Sequence, residues 1–131
     1  MNIPVLPAIA YSIAALSMAA CTQTEPANAP LTQAAAAIVV GEPVSCVNLT
    51  SIHDTKAWDD RTIDFVMNNG TRYRNALPYR CATLGFEQRF GYKTTTSQLC
   101  SSDTITVLPT GSSIPGPTCS LGEFVPVRLG G

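Results

Sequence analysis

From Val44 onward the apolar residues come in short runs separated by turn signals, the pattern of antiparallel β-structure. In RTIDFVM (residues 61–67), Ile63, Phe65 and Met67 fall on one face, and Thr62, Asp64 and Val66 on the other. Asn-Asn-Gly then leads into TRYRN. A two-residue turn at Asn69-Gly70 would set Phe65 opposite Arg74 and Met67 opposite Arg72, placing arginines on the apolar face. A three-residue loop of Asn68, Asn69 and Gly70 shifts the register by one. Phe65 then faces Tyr73 and Asp64 faces Arg74, both favourable cross-strand pairs, with Gly70 in the left-handed conformation such loops need. The three-residue loop is therefore predicted.

The remaining runs read in the same way. In QRFGYKT, Phe90 and Tyr92 alternate with Arg89 and Lys93. SSDTITVLP predicts a turn and then a strand with Ile105 and Val107 inward. Residues 109–117 hold too much Pro and Gly to be anything but a loop. TCSLGEFVPV reads as a last strand with a bulge at Gly122, and PYRCATLGFEQRF allows a short helical turn over residues 82–86. Five to six short strands predict a mainly β domain. Its expected form is a small antiparallel β-barrel or a strongly twisted sheet, closure being one way to remove exposed edges.

Upstream the pattern changes. Residues 4–20 carry no charge, but Pro4 and Pro7 interrupt them and they are short for a membrane span. They fit a secretory signal peptide over residues 1–20, although no Lys or Arg precedes the apolar stretch. Met18, Ala19 and Ala20 stand directly before Cys21, in the manner of a lipoprotein box. Met18 occupies the position where Leu is usual. The reading is a lipid anchor on Cys21, with plain secretion as the alternative. Residues 21–43 follow as an Ala/Pro/Thr-rich linker, with almost no apolar side chain larger than Ala in its first half. Its end, AAAAIVV, suits a short helix or an edge strand. The domain proper is expected over residues 44–131.

Five cysteines then sort themselves. With Cys21 assigned to the anchor, Cys46, Cys81, Cys100 and Cys119 form an even set in an exported chain, which reads as two disulfides. A domain this short is marginal without such staples. Cys81–Cys100 and Cys46–Cys119 are the expected pairs, the first closing a compact loop and the second tying the first strand to the last. No two cysteines have the close spacing of a structural zinc site, and His53 is the only histidine. No metal or other cofactor is expected.

The net charge of −1 argues against a nucleic-acid binder. His53-Asp54, with Ser97 and Ser101 downstream, has the residue types of a Ser-His-Asp site but none of its motifs. Asp54, Asp59, Asp60 and Asp64 lack the spacing of a calcium loop; a solvated turn is expected, with Asp60 or Asp59 capping backbone N–H groups. The most suggestive cluster is basic and aromatic. Arg72, Arg74, Arg80, Arg89 and Lys93 supply five positive charges against the single negative charge of Glu87, with Tyr73, Tyr79 and Tyr92 between them. On a β surface such guanidinium groups suit a phosphate or carboxylate ligand. The bland alternative pairs Arg74 with Asp64 and Arg80 with Glu87. Trp58, the only tryptophan, is expected to be a partial core cap rather than a sugar platform.

SCVNL, DDRTIDF, YRNALPYRC, LGFEQRF, TSQLC, DTITVL and CSLGEF, spread over residues 46–124, together resemble a family of small exported bacterial proteins whose domain has no known function. The resemblance implies an envelope location and brings no activity or site residue with it. The expectation is a non-enzymatic envelope binding or interaction module in the periplasm. Its partner would be an envelope protein or an anionic envelope ligand, and its membrane link the lipid on Cys21. The alternatives are a structural lipoprotein docking on another envelope protein and, third, a small hydrolase-like enzyme using His53.

Overall fold

The computed structural model describes residues 34–130 and Pro4. The expected signal peptide, the lipidation site Cys21 and the linker upstream of residue 34 lie outside the described residues. The described chain is mainly β. It contains β1 (Ala37–Val39), β2 (Cys46–Asn48), β3 (Ile52–Asp59), β4 (Thr62–Met67), β5 (Arg72–Ala76), β6 (Phe90–Tyr92), β7 (Gln98–Cys100), β8 (Thr104–Val107), β9 (Thr118–Ser120) and β10 (Phe124–Leu129). A 3-10 turn, Leu49–Ser51, and a helical turn, α1 (Leu84–Glu87), interrupt them.

The strands form three antiparallel sheets. The largest has the order β1-β10-β5-β4-β3; β2 pairs with β7, and β8 lies between β6 and β9. Among the described residues the sheets do not close on one another, and no barrel forms. The strands are also more numerous than the five to six expected, because β1, β3 and β7 add to the runs read as strands and one run divides between two sheets. That run is TCSLGEFVPV. It is not a single bulged strand: Leu121, Gly122 and Glu123 carry the chain from β9 in the small sheet to β10 in the large one. Buried Asn75 holds that crossing, accepting from the Gly122 N–H at 2.8 Å and donating to its carbonyl at 2.7 Å. A Cβ at Gly122 would strike the Ala76 carbonyl, so this position requires glycine.

The β4–β5 hairpin has the predicted three-residue loop. Asp64 faces Arg74, Phe65 faces Tyr73, and Met67 and Thr71 close the loop through an N–H to carbonyl bond of 2.8 Å. Gly70 takes φ +86°. AAAAIVV resolves as an edge strand, β1, so the sheet begins at Ala37 rather than at Val44.

The core gathers side chains from all three sheets. Ile63, Phe65, Met67 and Phe124 come from the large sheet, Val47 and Leu99 from β2 and β7, and Ile105 and Val107 from β8. Phe65 is the centre, meeting Phe124 edge-on at 5.4 Å and Phe90 at 6.1 Å between centroids.

All four domain cysteines are disulfide-bonded, but in pairs other than those expected: Cys46–Cys100 and Cys81–Cys119. The expectation rested on loop compactness, whereas strand register decides. Cys46 and Cys100 stand directly opposite each other in the β2–β7 pair. Cys81, its N–H donated to the Asp60 carbonyl, is left to meet β9.

Candidate functional site

On the face of the large sheet opposite the core, β3 presents Lys56 and Trp58, β4 presents Asp64, and β5 presents Arg72 and Arg74. Asp64 is fully buried, and every bond to its carboxylate comes from this group. Arg74 donates through Nε to Oδ1 at 2.8 Å and through Nη2 to Oδ2 at 3.0 Å. Arg72 Nη1 donates to Oδ2 at 3.0 Å, and Trp58 Nε1 to the same oxygen at 2.8 Å. Arg74 Nη1 also reaches the Ala35 carbonyl at 2.7 Å, drawing the segment before β1 onto this face. Burial alone would push the Asp64 carboxyl up. Hydrogen bonds from Arg74 and Trp58, the charge of Arg74 and the bond from Arg72 together outweigh burial and hold it below the ordinary aspartate range.

The cluster fixes an indole. Trp58 does not cap the core. Its neighbour Ala57 turns inward, so Trp58 turns outward, beside a register shift between Ala57 and Asp59. Its N–H is tied to Asp64, and the Lys56 ammonium sits over its ring at 5.4 Å from the centroid. Lys56 is itself steadied by Gln88 Oε1 at 3.2 Å.

The held indole lines a cleft of about 560 Å³, together with Asp59, Asp60, Arg61, Arg80, Gly85 and Phe86. The cleft lies between the β3–β4 turn and the segment leading into α1. Asp60 joins the two: its Oδ2 pairs with Arg80 at 2.7 Å, its Oδ1 accepts from Gly85 N–H at 2.9 Å, and its carbonyl accepts from Cys81 N–H. Asp59 Oδ1 accepts from Arg61 N–H at 2.8 Å, so the backbone capping expected of one aspartate is shared by both. Gly85 is needed for this close approach, because a Cβ there would lie 2.7 Å from Asp59 Cα. Phe86, next along α1, is 87% exposed. The size suits a small-molecule or single-residue ligand.

The five cations picked out from sequence are distributed. Arg72 and Arg74 engage Asp64, and Arg80 pairs with Asp60 rather than with Glu87, whose Oε2 accepts from Thr110 N–H. Arg89 lines a second cleft with Leu108 and Ile114, and Lys93 a third with Tyr92 and Asp103. His53 is exposed at an irregularity of β3 and lines none of these clefts. Among the described residues no group of three or more His, Cys, Asp or Glu side chains is placed to hold a metal ion. Sequence reasoning missed Lys56, Arg61 and Phe86. The available signal was the alternation of Lys56 and Trp58 against Thr55 and Ala57, which sends the tryptophan outward.

No family model, curated protein or solved structure matches the chain. The two disulfides are consistent with an oxidising, exported location. Among the described residues no helix is long and apolar enough to cross a membrane.

Proposed function

We propose that this chain is a non-enzymatic binding module of the bacterial envelope. In this reading it is exported by residues 1–20, tethered through Cys21, and presents the Trp58–Phe86 cleft in the periplasm. One observation carries the proposal: a fully buried carboxylate, with two arginines gathered round it, is spent on holding the indole that lines the cleft. A buried ionic group adds little net stability over an apolar replacement. Locking the side chain that meets a ligand is a use that does need it. The exposed ring of Phe86 adds apolar surface to the same cleft.

A second reading has its own support. β1 is an edge strand, and Ile38 and Val39 on it and Val40 just beyond it are each more than half exposed. An apolar edge of this kind suits docking by strand addition, as in a structural lipoprotein. Retention of envelope components by the full chain separates the two readings. The binding-module reading expects a retained component that Phe86→Ser loses and Val39→Lys keeps. The reverse pattern supports docking through β1. Retention unchanged by Phe86→Ser overturns the binding-module reading.

A further inference from the structure

The cleft at Trp58 has a lopsided supply of hydrogen-bonding groups. Its carboxylate oxygens already accept bonds within the protein. Asp60 uses both carboxylate oxygens, on Gly85 N–H and on Arg80, and Asp59 Oδ1 accepts from Arg61 N–H. Its donors are only partly engaged. Among the described residues, Arg61 commits Nη2 of its guanidinium, to the Pro78 carbonyl at 3.1 Å, and no other side-chain N–H. Arg80 commits Nε and Nη2 to one oxygen of Asp60 and is 70% exposed. A ligand that engages these donors brings acceptors, and a guanidinium fork favours acceptors paired on a carboxylate or phosphate. The formal charges lining the cleft balance, Arg61 and Arg80 against Asp59 and Asp60, so the preference rests on the uncommitted guanidinium N–H groups.

The apolar part of the cleft is aromatic, formed by Trp58 and Phe86. The negative face of an aromatic ring attracts the polarised C–H groups on the flat side of a sugar. Peptide capture by strand addition, by contrast, relies on a ladder of free main-chain groups. Here the main-chain N–H groups of Arg61, Cys81 and Gly85 are already bonded inside the protein.

Resting on the binding-module reading, we infer that this cleft takes an acidic saccharide, its ring against Trp58 and Phe86 and its carboxylate or phosphate on Arg61 and Arg80. The arginines set the preference for charge, and the aromatic rings supply affinity that is indifferent to charge.

Trp58 is the only tryptophan in the chain, so its fluorescence reports this cleft directly. The full chain is titrated with an oligogalacturonate, the matching neutral galactose oligosaccharide, inorganic phosphate and a mononucleotide. The expected result is a saturable change with the oligogalacturonate and binding at least about tenfold weaker for the neutral sugar, the value of one charge-assisted hydrogen bond. Arg61→Gln, at an exposed position, should remove that preference and leave the melting curve unchanged. Phe86→Ala should weaken both sugars alike. No response to the acidic sugar, equal binding of the neutral one, or tighter binding of phosphate or mononucleotide each overturns the inference. If it fails while an envelope component is still retained through Phe86, only the ligand class is wrong; if that retention fails as well, the binding-module reading falls with it.

Discussion

Arg74 and Asp64 stand directly opposite each other in the β4–β5 pair and are joined by two parallel bonds, Nε to Oδ1 at 2.8 Å and Nη2 to Oδ2 at 3.0 Å. The fork closes over a carboxylate with no exposed surface, while the arginine keeps a small part of its own. The carboxylate is thus the member of the pair whose removal strands charge. Asp64→Ala leaves two guanidinium groups and the Trp58 N–H without their acceptor. The expected loss is about 3 kcal/mol of stability, read as a lower urea midpoint. Trp58 emission should shift to the red as the indole loosens. A loss under about 1 kcal/mol would mean that both arginines recover their partners in water.

The same group sets an acid limit. Its folded carboxyl titrates below the 3.8 of an ordinary aspartate, so the unfolded chain takes up the proton first as pH falls. The stabilisation is fully present above about pH 4 and is lost as pH drops from there through the folded value. Unfolding midpoints measured between pH 7 and pH 2 (roughly the range of carboxylate titration) should hold level and then fall. In Asp64→Asn the fall should be shallower. An acid limb identical in both proteins would assign it to other carboxylates.

Non-reducing peptide mapping should recover Cys46 with Cys100 and Cys81 with Cys119. The bridges close loops with sequence separations of 54 and 38 residues. At these lengths each constrains the unfolded chain by about 4 kcal/mol in the chain-entropy account. Reductant should therefore lower the melting temperature sharply, and a protein that melts unchanged in strong reductant would contradict the fold.

Gly85 couples stability to the cleft. A methyl group there meets the backbone of Asp59, so Gly85→Ala must push α1 away from β3 and carry Phe86 with it. A loss of about 1–3 kcal/mol is expected, as for other overpacked sites. Retention of the envelope component should weaken in parallel. Phe86→Ala, by comparison, should weaken retention with little change in melting, because that ring is exposed.

Asn75→Ala tests the crossing between sheets. It removes both bonds to Gly122 and leaves a buried N–H and carbonyl unpaired, at a cost of about 2–3 kcal/mol. Chemical denaturation compared with Asn75→Asp, which keeps an acceptor for the Gly122 N–H, would separate the two bonds.

What was legible in the sequence was local. The inward set Ile63, Phe65 and Met67, the three-residue loop ending in Gly70, and the Asp64–Arg74 pair all follow from a side-chain period of two and a turn that needs positive φ. The inward direction of Ile105 and Val107 follows from the same alternation. β1 was ambiguous for the opposite reason. Ala, Ile and Val over so few residues suit a helix as well as a strand, and only β10 alongside decides between them. Trp58 was misplaced because a lone tryptophan suggests a core, whereas the inward turn of Ala57 sends it to the other face.

An even cysteine set, a mainly β domain and one ion pair were therefore determined by the amino-acid sequence itself. Each depends on composition or on residues a few positions apart. The partners of the cysteines, the switch between sheets at Gly122 and the placing of Trp58 and Phe86 on one cleft were decided only in three dimensions. They depend on how three sheets settle around Phe65, and no single segment carries that arrangement, because each sheet's position is set by the side chains of the other two.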